Sequence, residues 1–399
     1  MTGLALFVLA VYTVSLLYIT VYCLLQFNLL YHYKQSINPT DHPVSFTDLA
    51  PREVDAREPA LVGAGEGQGT AFNDAPSAPA TAPNAYYPFV TIQLPIYNEL
   101  YVIARLIDAC AKFDYPKDRF EIHILDDSND ETVDIVAAKV EEYRAKGFNI
   151  EQIIRPVRQG FKAGALRDAM PRANGEFVAI FDADFVPDPA FLQRTIPHFA
   201  DPEVGVVQTR WEHINEDYNI ITRLQALQLN VHFTVEQTGR MNGEHLLQFN
   251  GTAGVWRTKT IEAGGGWQPD TLSEDLDLSI RSQLAGYKIH FLEEVGSPAE
   301  LPVEMNSFKS QQHRWMKGGA ETAKKMLPDV WRSNLAFGHK VQATAHLLGS
   351  TIFLFVFLCG VFSVPLLFLF GELTAFGISK NIFAVFLAGL LSVIGIYYT

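Results

Sequence analysis

The sequence predicts an α/β protein, a mostly parallel sheet with flanking helices, embedded between apolar helices long enough to cross a bilayer. Three patterns predict it. Short apolar runs of strand type alternate with helix-period segments from residue 88 onward, as in a parallel sheet covered on both faces. Acidic residues cluster where several of those runs end. Charge-free apolar stretches lie on either side of a long charged middle.

Residues 4–30 carry no charged side chain, and that run exceeds the roughly 20 residues a bilayer-spanning helix needs. It has neither the basic start nor the small-residue cleavage site of a secretory leader, so a retained N-terminal transmembrane helix over 1–33 is expected. Residues 34–87, with GAGEGQGT at 63–70 and APSAPATAP at 75–83, keep no periodicity and read as a flexible linker. FVTIQLP (89–95) then reads as a strand, followed by a helix with Val102, Leu106, Ile107 and Cys110 on one face. RFEIHILDD (119–127) is a second strand, IIRPV (153–157) a third, 161–170 a helix, and EFVAIFDAD (176–184) a fourth strand. This sheet domain is expected over 88–300, where ligands would sit beyond the carboxyl ends of the strands. Interfacial amphipathic helices follow over 301–345, then transmembrane helices over 346–399. The last apolar run begins at Ile382 and is still apolar at Thr399, so the sequence is expected to be incomplete.

Lys309, Arg314, Lys317, Lys324, Lys325, Arg332 and Lys340 precede the second span, whereas Lys380 is the only cation between the second and third. The positive-inside asymmetry makes this a multi-pass integral membrane protein with its large domain in the cytoplasm. The balance of 31 basic against 44 acidic side chains argues against a nucleic-acid partner. Cys23, Cys110 and Cys359 show no metal-type spacing, which argues against a disulfide framework or structural zinc site and fits a reducing compartment.

IFDADFVPD (180–188) raises the question of chemistry. Residues i and i+2 of an extended backbone face the same side, so Asp182 and Asp184 can present oxygens to one divalent cation. Asp188 and Pro187 read as a turn or helix cap. Asp126 and Asp127 close the second strand in the same way. Clustering at carboxyl ends, with fewer acids at amino ends, points to a shared site.

Seven stretches in order extend this: LPIYNE (94–99), ILDDSND (124–130), GFKAGALRDAM (160–170), FDADF (181–185), QFNGTAGVWR (248–257), TLSEDLDLSIR (271–281) and QQHRW (311–315). Together they resemble the inverting family-two glycosyltransferases of the cellulose-synthase superfamily. The likeness covers about 88–330 and is strongest to the cellulose-synthase-like proteins that make mannan and xyloglucan backbones; VQTRW (207–211) and HFTVEQ (232–237) add to it.

The resemblance implies a GT-A-like, nucleotide-sugar-binding fold and assigns roles. Asp184, helped by Asp182, would hold Mg²⁺ or Mn²⁺ against the donor diphosphate, and Lys162 would be a second phosphate contact. A lysine in the first turn of a helix opposes the helix dipole, itself a hint of a nearby anion. Pro95, Tyr97, Glu99 and Asp127, with Asp126 beside them, would form the base and ribose pocket. In SEDLD the catalytic pair is Glu274 and Asp275, with Asp275 as general base toward the acceptor hydroxyl. Ser273 stands where the family commonly has Thr and would cap the helix; Asp277 reads as solvated or helix-stabilising. Gln311, Arg314 and Trp315 would contact the acceptor end and the diphosphate. Phe249, Asn250, Gly251 and Thr252 would line the acceptor side, the glycine allowing close backbone approach.

The reaction expected is therefore transfer of a hexose from UDP-glucose or GDP-mannose, with inversion, to a growing polysaccharide at a lipid bilayer. A glycolipid synthase is the alternative, since QxxRW occurs there too. An inactive scaffold would be expected to lack one of Asp127, Asp184, Asp275 or Arg314, and none is missing. A glycoside hydrolase needs two carboxylates but no lysine, arginine or membrane-side site.

Overall fold

The computed structural model describes residues 3–35 and 86–368. In chain order these form α1 (Gly3–Gln35), β1 (Val90–Ile96), α2 (Ile103–Cys110), β2 (Phe120–Asp126), α3 (Thr132–Ala145), β3 (Ile150–Ile154), α4 (Phe161–Ala169), β4 (Phe177–Ile180), α5 (Phe191–Thr195) and β5 (Val204–His213). There follow α6 (Ile220–Val231), α7 (Gln237–Asn242), β6 (Gly254–Arg257), α8 (Thr258–Ala263), α9 (Glu274–Leu284), β7 (Lys288–Ala299), α10 (Met305–Arg332), α11 (Phe337–Leu347) and α12 (Ile352–Phe368). Nearly all of the expected linker and the whole third apolar run lie outside the described residues.

The strands form one seven-stranded sheet in the order β3-β2-β1-β4-β6-β5-β7. Every pairing is parallel except those of β6, which runs antiparallel to β4 and β5. Burial on both faces is written into β4: Phe177 and Ala179 join one apolar core with Ile92, Ile103 and Phe191, while Val178 and Ile180 join the other with Leu166, Trp256 and Leu278. A third cluster, including Leu276, Ile280, Met326 and Leu347, binds α9 to α10 and α11.

Two strands depart from the sequence expectation by more than a residue at an end, each for a local reason. β3 begins at Ile150 and stops at Ile154, because Pro156 has no N–H to continue a ladder and biases the residue before it. β4 stops at Ile180, because the Asp182 N–H donates to the Thr252 hydroxyl at 2.8 Å instead of to a neighbouring strand.

α1 and the segment Gly349–Leu366 are long and apolar enough to cross a membrane. They pack on each other, with Tyr18 stacked on Phe355 at 3.9 Å between ring centroids. The C-terminal end of α1 docks on the sheet domain, where Gly239 of α7 meets Leu29 so closely that a Cβ there would lie 2.4 Å from the Leu29 carbonyl oxygen. Cys23, Cys110 and Cys359 are all free thiols.

Candidate active site

Parallel strands put their carboxyl ends on one edge, and the antiparallel β6 puts its amino end there. The segments after β1, β2 and β4 and the loop before β6 therefore converge, carrying Tyr97–Glu99, Asp127, Asp182–Asp184 and Asn250–Thr252 to one rim. Lys162, in the first turn of α4, donates from Nζ to Asp182 Oδ1 at 2.5 Å and to the Gly251 carbonyl at 2.9 Å. Gly251 has φ +80, and a Cβ on it would lie 3.0 Å from Asp275 Oδ2 and 3.5 Å from Lys162 Nζ. Asp182, Lys162, Gly251 and Asp275 thus meet at one point, and a glycine is what permits it.

Negative charge is in excess there. Burial, then the charges of Asp182 and Glu99, push the Asp184 carboxyl up to about 7. Burial, then Asp182 and Asp130, raise Glu99. Glu274 and Asp275 are raised as well, chiefly by burial. Burial alone would lower Lys162, but Asp182, Glu274 and Asp275 outweigh it and hold the ammonium charged. Carboxyls whose ionised form is disfavoured in a concave, half-buried rim are what a cation would relieve. No group of three or more metal-ligating side chains converges among the described residues. The chain offers Asp182 and Asp184, and remaining ligands would come from the donor phosphates and water, the mode Mg²⁺ favours.

On the Asp275 side a cavity of about 670 Å³ opens between the rim and the apolar helices. Asp275, Trp211, His232, Asn250 and Trp315 line its inner end, and Tyr22, Phe353 and Val356 its outer end. Asp275 accepts from the Leu276 N–H at 2.8 Å, which orients the carboxylate at the start of α9. Ser273 occupies the N-cap position of α9 but its hydroxyl caps nothing.

The other expected residues sort by exposure. Trp315 is 38% exposed on α10, 6.5 Å from the Trp211 ring, while Gln311 and Arg314 lie on the same helix, half-buried and exposed, and do not line this cavity. Phe249 is fully buried against Trp256 and Thr252 is fully buried as acceptor for the Asp182 N–H, so both build the loop from behind rather than line it. Pro95 is buried within β1; its missing N–H faces β4 beyond the last β1–β4 pair, Gln93 with Ile180, so it costs no ladder bond and does not wall the pocket. Asp126 is fully buried, accepting from the Ser128 N–H at 2.9 Å and Gln152 Nε2 at 2.8 Å, and is structural. Asp127 faces the rim but is held by Arg155, whose Nε donates to Oδ1 at 2.9 Å. Asp277 is buried, not solvated. Asp188 forms a turn ahead of α5, accepting from the Ala190 N–H at 2.8 Å, and does not cap the helix, whose N-cap position is Ala190.

Sequence reasoning gave no role to Trp211, His232 or Glu236, although VQTRW and HFTVEQ contain them. His232 bridges Glu236, at 2.8 Å, to Asn250 Oδ1, at 3.1 Å, and so braces the loop that carries Gly251. It does so from a π-helical turn, His232–Glu236, between α6 and α7, a distortion often found at functional sites.

The family description "Glycosyl transferase family group 2" matches residues 177–398, more than half of the chain, and "Glycosyl transferase family 2" matches residues 91–262. This chain belongs to the family-two glycosyltransferases. It is of the cellulose-synthase-like type. It is 38% identical over 301 residues to the probable glucomannan 4-beta-mannosyltransferase 4 of Oryza sativa subsp. japonica, covering 74% of this chain and 54% of that protein. To glucomannan 4-beta-mannosyltransferase 2 of Arabidopsis thaliana it is 41% identical over 252 residues, covering 62% and 47%. The chain spans about half the length of the curated relatives it matches. Among solved structures, a mannosyltransferase from Pyrobaculum calidifontis, in complex with GDP-Man and Mn²⁺, superposes with a TM-score of 0.63 at 18% identity, over 96% of this glycosyltransferase and 98% of that chain. At that identity the match establishes the shared fold.

Proposed function

We propose that this glycosyltransferase is a membrane-bound inverting enzyme that transfers a hexose, mannose foremost, from a nucleotide-diphosphate sugar to a growing polysaccharide. The observation that carries the proposal is the meeting of Lys162, Asp182, Gly251 and Asp275 between the acidic rim and a cavity that continues toward α1 and α12. The mannosyltransferase names of the relatives support the sugar, and their glucomannan products support a polymer acceptor. Two packed apolar helices that wall the cavity support a position in the bilayer, and the cations clustered ahead of the second span support a cytoplasmic side for the charged domain.

Inversion requires one displacement, in which the acceptor oxygen attacks the anomeric carbon from the face opposite the departing diphosphate. Asp275 takes the proton from the acceptor hydroxyl; a raised carboxyl is a stronger base than an ordinary one. The backbone N–H of Leu276 aims it, and Trp315 with Trp211 offers apolar faces for the acceptor sugar ring. Lys162 stands ready for the charge that grows on the diphosphate. A divalent cation, when bound by Asp184 and Asp182, supplies a Lewis acid and a template for the same phosphates.

The test uses membranes containing the full chain, radiolabelled GDP-mannose or UDP-glucose, and Mn²⁺ or Mg²⁺. Ethanol-insoluble polymer is separated from solvent-extractable lipid. Mannose label in polymer, lost in Asp275→Asn and on chelation, is expected. Label confined to lipid would make it a glycolipid synthase, and no label with any donor would overturn the assignment.

A further inference from the structure

Residues four apart face each other across a helical turn, and His232 and Glu236 do so in the π-helical turn between α6 and α7, with Nδ1 2.8 Å from Glu236 Oε2. A carboxylate only accepts, so the hydrogen bond is donated by Nδ1. Burial alone would raise Glu236, but Arg240 and His232 outweigh it and hold the carboxyl down to about 2. Arg240 reaches the same oxygen with Nη2, at 3.3 Å, from α7. Glu236 is therefore ionised and fixes the orientation of the His232 ring.

The other ring nitrogen, Nε2, lies 3.1 Å from Asn250 Oδ1, which also accepts from Gln248 Nε2 at 2.6 Å. The Asn250 N–H donates to Gln208 Oε1 at 2.8 Å, so side chain and backbone of Asn250 are both tied down. Thr252 is tied down as well. Its carbonyl accepts from Gln208 Nε2 at 3.2 Å and its hydroxyl from the Asp182 N–H at 2.8 Å. Between these two anchors stands Gly251, the residue type with the most backbone freedom, in a left-handed conformation. Its carbonyl can hold Lys162 Nζ, at 2.9 Å, only as firmly as its neighbours hold Gly251. The other partner of Lys162, Asp182, is also a proposed ligand of the cation. The Gly251 carbonyl is thus the anchor of Lys162 for which no bound cation competes.

We infer that Glu236 and His232 are positioning residues for the transfer: acting through Asn250 and Gly251, they set Lys162 against the leaving diphosphate. The inference rests on the role proposed above for Lys162. Both side chains lie on the wall of the cavity that Asn250 and Asp275 also line, each 22% exposed. Three uses of such a pair predict different kinetics. Direct contact with the acceptor would set acceptor affinity, and a purely structural role would set stability alone. Positioning sets kcat, and does so only while Lys162 is there to be positioned.

The experiment is a double-variant cycle on the full chain in detergent with Mn²⁺, GDP-mannose as donor and β-1,4-linked mannohexaose as acceptor. His232→Ala is expected to lower kcat about tenfold in the wild type and about twofold or less in the Lys162→Met background, because the histidine acts through the lysine. KM for mannohexaose should change about twofold or less in either background. His232→Gln, which keeps a donor toward Asn250, should lose less than His232→Ala. Glu236→Gln, which releases the ring, should lower kcat in the same non-additive way, and these two variants carry the cycle if His232→Ala fails to fold. Additive losses in kcat, a raised mannohexaose KM with kcat intact, or a lower thermal midpoint with kcat unchanged would each overturn the positioning role. A wild type that transfers sugar from neither GDP-mannose nor UDP-glucose would instead overturn the activity itself, and the role of Lys162 with it.

Discussion

Asp277 has no exposed surface, accepts from Arg281 Nη2 at 2.7 Å and faces Lys325 Nζ at 3.0 Å. The lysine reaches it from α10, so this carboxylate ties the helix of the proposed base to the helix of Trp315. Removing one partner of a buried pair strands the others, and Asp277→Ala is expected to cost about 3–5 kcal/mol in chemical denaturation. The Lys325→Ala and double variants complete a cycle; additive effects would mean that the three charges do not act together. Lys162→Met makes the converse case. It leaves Asp182 and the Gly251 carbonyl without their donor at the reacting centre, and kcat should fall roughly 10²-fold or more while the fold persists. A fall in donor affinity alone, with kcat intact, would remove Lys162 from the chemistry. Residues whose placement follows from spacing, such as Asp182 and Asp184 at i and i+2 on the rim, are legible in the sequence. Arg155 and Arg158 are not, because their partners Asp127 and Tyr97 lie in other segments of the chain and only the folded sheet edge brings them together.

At the level of elements, the alternation of strand and helix was readable and the reversal of β6 was not. Four residues, Gly254–Arg257, carry no mark of direction; they run antiparallel because the chain returns from α7 to the same rim that β4 leaves. That reversal is what delivers Gly251 to Lys162. A second element-level dependence is the seating of α10 on the start of α9. A Cβ on Gly318 would lie 2.1 Å from Ser273 Oγ and 2.9 Å from the Ser273 backbone nitrogen. Gly318→Ala must therefore push α10 away from the residue that precedes Glu274 and Asp275. Displacing a base or acceptor platform by a fraction of an ångström to an ångström is expected to lower kcat about 10- to 100-fold. Nucleotide affinity should hold, since the donor rim lies on other elements. Gly338→Ala, where a Cβ meets nothing within 4 Å, is the control on α11. Equal activity in the two variants would mean that α10 does not set the position of the base.

Across the whole molecule the acidic rim works against folding as pH rises. Asp184 is held up to about 7, so the folded state favours its neutral form. Its destabilising effect is absent below the ordinary aspartate range and grows as pH rises from about 4 to about 7, because ionising it in place costs more than ionising it in the unfolded chain. Glu99 and the Glu274–Asp275 pair push in the same direction. His213 and His245, chiefly through burial, are lowered to about 4 and pull the other way, since the fold resists their protonation below about 6.5. A single melting curve mixes these opposing slopes, so the informative quantity is the difference between Asp184→Asn and wild type. In chelator that difference should be near zero at pH 4 and should favour the variant by roughly 2–4 kcal/mol at pH 7.5, because the amide keeps the shape and removes the ionisation. Mn²⁺ should reverse it, stabilising the wild type and not the variant, by an amount that grows over the same pH range as the carboxylate becomes available to the ion. A variant no more stable than wild type at pH 7.5 without metal would mean that the rim does not store this charge conflict. A Mn²⁺ effect of equal size in both proteins would place the cation elsewhere than on Asp184.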